Sequence, residues 1–171
     1  MTNSDFTILP CGRKYPKKKN TSVDSKKLFS IFKEKLDSFV QTQKLNRSDV
    51  RDKILETIVS EAHHFGAQEL LERVNKRYPD IGRATLYRNI PVFVKCGILQ
   101  EGPLNSDGQS LYELVDDDDH HDHIVCLDCK KIFEFHDKTI EKKQNEITQQ
   151  MKFKAKDHKH VIYARCEYLK K

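Results

Sequence analysis

The stretch that most constrains this chain is residues 116–129, which read DDDDHHDHIVCLDC. From residue 120 onward it holds three imidazoles, two carboxylates and two thiols, the donors that divalent transition metals prefer. If residues 121–125 form a strand, alternate side chains point to opposite faces, so His121 and His123 would serve one metal site and the residues between them another. The alternative is a solvated acidic loop with incidental histidines. The adjacent HxH and CxxC spacings favour metal ligands over that alternative.

The bulk properties of the chain set broad limits on its class. Its 171 residues suffice for one large domain or two small ones. No apolar run approaches the length of a membrane span, and the N-terminus has no hydrophobic signal-peptide segment. Five cysteines without a secretion signal favour a reducing cytoplasm and metal ligation over disulfides. We therefore expect a cytoplasmic protein with no membrane partner.

The N-terminal part of the chain is basic. The first 44 residues hold ten lysines and arginines against four acidic residues. Residues 1–22 show no apolar periodicity, which predicts a disordered arm. Such an arm can follow DNA phosphates or can simply keep the chain dissolved, and the sequence favours neither. At 25–43, apolar residues recur every three or four positions, which predicts an extra helix.

Three helical patterns come next, followed by two strand patterns around a loop rich in turn residues. That order is typical of a winged helix-turn-helix, whose third helix enters the major groove of DNA. The helices are predicted to begin at Ser48, residue 67 and Gly82, and the strands span 98–101 and 110–114.

Basic and aromatic side chains lie early in the third helix. Arginine contacts phosphate or guanine, and tyrosine can contact a thymine methyl. From composition alone, an ordinary amphipathic helix with a hydrated face is the better explanation. Pro91 lies inside the helical pattern and removes a backbone donor, so we expect a kink or break at 90–91. The candidate DNA contacts are Arg47, Arg83, Thr85, Tyr87 and Arg88.

The C-terminal part predicts a small β-β-α-β unit, with Ile140 and Ile147 of its helix facing inward. A unit of this size has a thin core and an open sheet edge. We expect a homodimer to cover both weaknesses. The strands are predicted at 123–126, 131–135 and 158–165, and the helix at 138–151.

The chain resembles the ferric uptake regulator family of metal-dependent bacterial repressors over roughly residues 45–168. The motifs that carry the resemblance are HHFGAQEL, GRATLYRNI, YEL, HHDHIVCLDC and IFEF, in that order. The resemblance implies an α+β fold, with an N-terminal winged helix-turn-helix DNA-binding domain and a C-terminal α/β dimerisation domain. The expected parts are a disordered basic arm at 1–22, the winged-helix domain with its extra helix at 23–115, a hinge at 116–122 and the dimerisation and metal-binding domain at 123–171.

The resemblance also implies three metal sites. A regulatory site at the hinge would hold Fe(II) or Mn(II). The bound metal would orient the two DNA-binding domains of a dimer for binding to double-stranded DNA that carries an AT-rich palindromic operator. An additional site would lie on the opposite face of the strand, and cysteines would hold a structural Zn(II). The implied ligands are His64, Glu113, His121, His123 and Glu134 for the regulatory site, His120, Asp122, Glu141 and His158 for the additional site, and Cys126, Cys129 and Cys166 for zinc.

The cysteine site departs from the family, which uses two CxxC pairs. Here the second pair reads Cys166-Glu167-Tyr168-Leu169, so its second thiol is missing, and Lys130 replaces the usual glycine after the first pair. Three thiolates with a fourth donor from elsewhere can still hold zinc in a tetrahedral site. Equally, the site can be weak or lost.

The expected function is a metal-responsive repressor that senses Fe(II) and controls metal-uptake genes. Glu134 stands where peroxide-sensing members of the family typically carry Asp, which favours iron sensing, while zinc and manganese sensing stay open. The alternative from another class is a zinc hydrolase or deaminase. That chemistry needs an open metal position, whereas the donors here are numerous enough to saturate the metal and no HExxH is present. We therefore predict no catalytic residue. A metal buffer without DNA binding is disfavoured by the Arg- and Tyr-bearing helix.

Overall fold

The computed structural model describes residues 6–8, 14–16, 25–60, 64–105, 107–115 and 120–167. The chain divides into two compact units, one within residues 17–115 and the other within 116–171 together with 1–16. Helices and small sheets occur in both parts of the sequence, so the fold class is α+β, as predicted. Among the described helices, none is long and apolar enough to cross a bilayer.

Two short strands lie within the arm that the sequence predicts to be disordered. β1 (Phe6–Ile8) and β2 (Lys14–Pro16) pair antiparallel, with Thr7 opposite Tyr15. β-branched and aromatic residues favour strands, but three-residue segments are too short to show a period of two in the sequence. The structure thus differs from the prediction over these two segments, and the other residues of the arm lie outside the described part of the chain.

The first unit contains the predicted extra helix and the three helices of the winged-helix pattern. The extra helix packs on the next one and buries Phe32, Leu36 and Val40 in the same apolar core, so it is an integral part of this unit. The helices are α1 (Ser25–Thr42), α2 (Asp49–Ser60), α3 (Ala67–Arg77) and α4 (Arg83–Lys95).

Of the kink or break expected at 90–91, the break does not occur, because α4 continues through Pro91 to Lys95. A proline in a helix leaves the carbonyl four residues earlier, here that of Tyr87, without its helical donor. Tyr87 and Pro91 are both exposed, so water can satisfy that carbonyl. On the other face, Ile90 and Phe93 are buried in the core and hold the helix in place across the proline.

A three-stranded antiparallel sheet completes the first unit. The predicted hairpin is present, and a two-residue strand, which the sequence did not reveal, adds to its far edge. That strand places Phe65 opposite Tyr112, and the antiparallel register therefore brings residue 64 beside Glu113. The strands are β3 (Phe65–Gly66), β4 (Leu99–Leu104) and β5 (Ser110–Leu114), in the order β3-β5-β4.

The second unit is built on a three-stranded sheet with β6 (Asp122–Cys126) at its centre. β7 (Ile132–Phe135) pairs with it antiparallel, and β8 (Val161–Ala164) pairs with it parallel. A parallel partner needs a crossover connection, which α5 (Lys138–Gln150) provides. Every residue of β6 except Ile124 is buried, so this short strand is the core of the unit.

The prediction that Ile140 and Ile147 both face inward is wrong for Ile147. Ile140 is half-buried, but Ile147 is 46% exposed, and α5 has no fully buried residue. The 13 residues of α5 extend about 20 Å, whereas a strand of four or five residues extends about 13–17 Å. The sheet is therefore too short to cover the C-terminal half of the helix.

Candidate metal centres and nucleic-acid interface

His64 and Glu113 form a pair within the first unit. Nε2 of His64 lies 2.6 Å from Oε2 of Glu113, and only 11% and 9% of the two side chains are exposed. The register between β3 and β5 creates this pair, because it places His64, the residue before β3, beside Glu113 of β5. The pair offers one imidazole nitrogen and one carboxylate, which are ligands for a borderline metal ion.

Two neighbours shape this pair, and the sequence signalled neither. Gln100, opposite Glu113 in the β4–β5 register, donates from Nε2 to Oε1 of Glu113 at 3.0 Å and orients the carboxylate. Gly102 leaves room for the imidazole, because a Cβ there would lie 3.4 Å from Cδ2 of His64. Cross-strand pairing would have identified Gln100 once the hairpin register was known.

Three further donors lie on one face of the sheet in the second unit. The rings of His121 and His123 are 4.9 Å apart, and Nε2 of His121 lies 3.9 Å from Oε1 of Glu134. Glu134 lies directly opposite His123 in the β6–β7 register. The HxH spacing therefore places both imidazoles on one face, as the alternation of a strand requires. This set offers two nitrogens and one carboxylate.

On the other face of β6, four side chains converge. One donor atom each from His120, Asp122, Glu141 and His158 lies within 4.8 Å of the other three. The Nε2 atoms of His120 and His158 are 2.9 Å apart, and each is 3.3 Å from Oε1 of Glu141. β6 supplies Asp122, α5 supplies Glu141, and the segment before β8 supplies His158. The structure thus brings together all four residues predicted for the additional site.

The buried polar atoms of this four-residue cluster fit a metal ion. Asp122 is 1% exposed, and within the described residues neither of its carboxylate oxygens has a hydrogen-bond partner; the same holds for Oε1 of Glu141. A buried carboxylate oxygen without a partner is costly, so such groups point to a ligand. Gln144, which the sequence did not signal, donates from Nε2 to the other oxygen of Glu141 at 3.0 Å. The donors are two nitrogens and two oxygens, a set that suits a divalent transition metal.

Cys126 and Cys129 frame the turn that follows β6, and Cys166 packs beside them. Burial opposes ionisation of Cys126, but the backbone N–H groups of Cys129 and Asp128 donate to its sulfur, and the pKa of the thiol is lowered overall. Asp128 also joins the two segments, because its Oδ2 accepts from the backbone N–H of Cys166 at 2.6 Å. Cys129 and Cys166 therefore pack against the same small apolar cluster as Cys126, and their joint ligation of zinc stays a prediction. Leu169, where a fourth thiol would stand, lies outside the described residues.

The candidate DNA contacts lie on the exposed side of α4 and in the α1–α2 loop. Arg83, Tyr87 and Arg88 are exposed, Thr85 is half-buried, and Arg47 is exposed in the loop. The Arg83 guanidinium lies 5.8 Å from the Tyr87 ring centre, and Nε of Arg88 donates to the carbonyl of Ala84 at 3.1 Å. Arg83 also donates from Nη2 to Oε1 of Gln68 on α3, and the side chains form a preformed basic and aromatic surface on α4.

Arg51 joins that helix to the loop. Its Nε donates to Oδ1 of Asn89 on α4 at 3.0 Å, and its Nη1 donates to the carbonyl of Asn46 at 2.6 Å. Asn89 in turn donates to the carbonyl of Thr85 at 2.7 Å. Sequence reasoning missed both residues, because a polar residue on a half-buried helix position has no periodic signature. The chain of hydrogen bonds fixes the loop that carries Arg47 relative to the start of α4.

Comparisons with known proteins agree on one family. The profile of the ferric uptake regulator family matches residues 42–163. The ferric uptake regulation protein of Haemophilus ducreyi is 40% identical over 106 residues, which are 62% of this chain and 70% of that protein. The solved structure of the Vibrio cholerae ferric uptake regulator matches with a TM-score of 0.66 and 34% identity, covering 76% of this chain and 98% of that one. The Pseudomonas aeruginosa ferric uptake regulator with manganese matches with a TM-score of 0.64 and 32% identity, covering 77% and 97%.

Proposed function

The chain belongs to the ferric uptake regulator family, and from that premise we propose that it is a cytoplasmic repressor of metal-uptake genes with Fe(II) as its co-repressor. Family membership makes it a metal-responsive, DNA-binding transcriptional regulator and not an enzyme. The observation that carries the proposal is the segment from His120 into β6, whose alternate residues present one donor set on each face. A strand with a donor set on each face can hold two metal ions.

In this proposal one regulatory metal takes ligands from both units. The first unit contributes His64 and Glu113, and the second contributes His121, His123 and Glu134. Two donors from one unit and three from the other make a five-ligand set that neither unit offers alone. Binding would therefore stabilise one arrangement of the DNA-binding unit relative to the dimerising unit, because the binding free energy is available only when the two sets meet.

The additional site would use His120, Asp122, Glu141 and His158, all of them in the second unit. Its ligands do not depend on the DNA-binding unit, so its role is to stabilise the dimerising unit and not to switch it. The three thiols would hold Zn(II), with the fourth position filled by a donor other than residue 169. Native mass spectrometry of the purified protein tests the zinc assignment through its stoichiometry and its sensitivity to Cys126→Ser.

The proposed choice of metal follows from donor chemistry and family likeness. Three imidazoles and two carboxylates admit Fe(II), Mn(II) and Zn(II) alike, so geometry and metal supply decide between them. A related structure contains manganese, which makes Mn(II) the second candidate. Glu134, at the position where peroxide-sensing members typically carry Asp, favours a response to iron over a response to peroxide.

The proposed DNA target is an AT-rich palindrome bound by a dimer. The family binds DNA as dimers, and two-fold symmetry in the protein matches a palindrome in the operator. In each protomer α4 would enter the major groove, with Arg83, Thr85, Tyr87 and Arg88 as contacts and Arg47 on the flanking phosphates.

The decisive experiment compares His121→Ala with His120→Ala, two neighbouring residues on opposite faces of β6. Operator affinity is measured anaerobically against free Fe(II), and separately against Mn(II). His121→Ala should abolish the metal-dependent gain in affinity while leaving the protein folded and dimeric, and His120→Ala should do less.

Two outcomes would contradict the proposal. If His120→Ala proves the more damaging variant, the roles of the two faces are inverted. If the wild type binds the palindrome equally well with and without metal, the regulatory site does not control DNA binding.

A further inference from the structure

Asp122 has a second carboxylate oxygen that the four-residue cluster does not use. Its Oδ1 faces Nε2 of His158 at 3.8 Å and Nε2 of His120 at 4.0 Å. Its Oδ2 faces a different residue, His160, whose Nδ1 lies 3.8 Å away. The carboxylate is 1% exposed, and neither oxygen accepts a hydrogen bond within the described residues. A metal bound at Oδ1 would satisfy only one of the two oxygens, and Oδ2 would still need a donor.

The imidazole of His160 is held beside that oxygen by two contacts. The backbone carbonyl of His160 accepts a hydrogen bond from the backbone N–H of His123 at 3.0 Å, which ties residue 160 to β6. Its ring packs edge to face on Phe135, with ring centres 5.9 Å apart and an angle of 75°. Phe135 lies directly opposite Asp122 in the β6–β7 register. The ring therefore lies beside Asp122, with 36% of the His160 side chain exposed.

We propose that His160 is a positioning residue for the metal of the additional site: its Nδ1–H donates to Oδ2 of Asp122 and so aims Oδ1 at the metal. This inference rests on the proposed additional site and adds a residue outside its four ligands. A separation of 3.8 Å is too long for a hydrogen bond, so the donor and the acceptor approach by about 1 Å when the carboxylate turns toward the ion.

His160 is not itself a ligand in this arrangement. It faces the oxygen that points away from His120 and His158, and it does not belong to the four residues whose donor atoms converge. Ligating carboxylates are generally fixed by an outer hydrogen bond of this kind, and losing such a partner typically weakens metal affinity by about 10–100-fold. The main-chain bond to His123 does not involve the side chain, so substitutions at 160 leave the His121/His123 face in place.

The test uses Mn(II), a hard ion that thiolates bind poorly. Full-length protein carrying His121→Ala and His123→Ala serves as the parent, so that Mn(II) reports on the additional site alone, and free Mn(II) is measured by electron paramagnetic resonance. His160→Leu should raise the Kd for Mn(II) by about 10–100-fold. His160→Asn, whose amide nitrogen occupies nearly the place of Nδ1, should bind close to the parent. His158→Ala should lose the site, and Lys156→Ala, in the same segment, should change nothing.

Each other outcome overturns the inference. If His160→Leu binds Mn(II) like the parent, the imidazole does not position Asp122. If His160→Leu and His160→Asn both lose binding as completely as His158→Ala, His160 is a ligand and not a positioning residue. If the parent binds no Mn(II), the additional site fails and this inference with it. Metal-dependent DNA binding by the wild type is a separate measurement, so it distinguishes that failure from failure of the proposed regulatory function. Circular dichroism of each variant checks that the fold is retained.

Discussion

Two buried carboxylates, both proposed as metal ligands, differ in the polar partners that the protein itself gives them. Glu113 has His64 at 2.6 Å and Gln100 at 3.0 Å, so its carboxylate has polar partners within the first unit. Asp122 is buried more deeply, and within the described residues no hydrogen bond reaches it. Such a residue destabilises the metal-free protein, and a ligand that binds only the folded state recovers that free energy. Asp122 is therefore better suited to metal binding than to folding.

Protonation of Asp137 affects the stability of α5, the helix that supplies the proposed metal ligand Glu141. Asp137 caps α5, and its carboxylate accepts from the backbone N–H groups of Ile140 and Thr139. These hydrogen bonds lower the pKa of Asp137 below its usual value. Because the folded-state pKa is lowered, the stabilisation is complete above the unfolded pKa of about 4 and is lost as pH falls through the folded value.

We therefore expect Asp137→Ala to lower Tm at pH 7, with the difference from wild type shrinking below about pH 4. Asp137→Asn keeps a capping oxygen without the charge, so it should keep most of the stability at pH 7. Thermal denaturation of the three proteins between pH 7 and pH 3 measures this. A difference between wild type and Asp137→Ala that stays constant down to pH 3 would contradict the assignment.

Arg88 is the residue whose loss should affect DNA binding and little else. Its side chain is exposed, and its one described hydrogen bond is to the carbonyl of Ala84 in its own helix. Arg88→Ala should weaken operator binding and flatten its dependence on salt, as loss of one phosphate contact does. Fluorescence anisotropy at several salt concentrations gives the slope, and a melting curve should hardly move. Normal affinity combined with a large fall in Tm would place Arg88 in the fold and not in the interface.

Among the elements, α1 adds to the core of the DNA-binding unit. Its buried stripe packs against α2, and Nζ of Lys35 donates to the carbonyl of Gly97 at 2.8 Å, just beyond the end of α4. The far end of α4, the helix proposed to contact DNA, is thus tied to the extra helix. Removing α1 would therefore expose the core and loosen α4 at once.

A matched pair of substitutions on α1 tests this role. Leu36 is 1% exposed, and Leu36→Ala should lower the free energy of unfolding by about 2–5 kcal/mol through the cavity it leaves. Ile31 on the same helix is 50% exposed, and Ile31→Ala should change it by less than about 0.5 kcal/mol. Urea denaturation of both variants gives the two values. Similar small losses at both positions would mean that α1 is only loosely attached.

Elements that are long or that have a strict spacing of residues could be predicted from the sequence. Elements that form only by pairing with a neighbouring segment could not. α1 and the two faces of β6 followed from spacing alone, because 18 residues of helix or an HxH motif determine which side chains share a face. β3 was missed because its two residues form a strand only by pairing with β5. A kink or break was expected at Pro91; the break does not occur, since packing of Ile90 and Phe93 outweighs one lost hydrogen bond. Ligand sets that span distant segments, such as Glu141 with His158, came from family likeness and not from spacing.

At the scale of the whole molecule, the second unit exposes apolar surface that a single chain does not cover. Several exposed large apolar side chains in one unit favour an interface there. Within the described strands, β7 and β8 are both edges, each paired only with β6, and an open edge invites pairing with another chain. We therefore propose that residues 120–171 form the dimer interface. The exposed apolar side chains are Leu127, Ile147, Met151, Phe153, Ile162 and Tyr163.

A pair of double variants tests this interface. Ile147→Glu with Phe153→Glu places two charges on apolar side chains that are 46% and 67% exposed in the second unit. Ile31→Glu with Leu104→Glu does the same at two side chains that are 50% and 45% exposed in the first unit. At micromolar concentration, sedimentation equilibrium should find two chains for the wild type and the first-unit variant, and one chain for the second-unit variant. A charge costs little where the side chain stays in water, but it is expensive where a partner would bury it.

The same variants should differ in DNA binding, because a monomer reaches only one half-site of a palindrome. The second-unit variant should lose most of its metal-dependent affinity for the full palindrome while binding an isolated half-site as the wild type does. The first-unit variant should keep its preference for the full site. If both variants remain dimeric, or if the first-unit variant dissociates as readily as the other, the interface does not lie in residues 120–171. Dissociation of the second-unit variant alone, with its melting curve for the winged-helix unit unchanged, would place dimerisation and DNA contact in separate units.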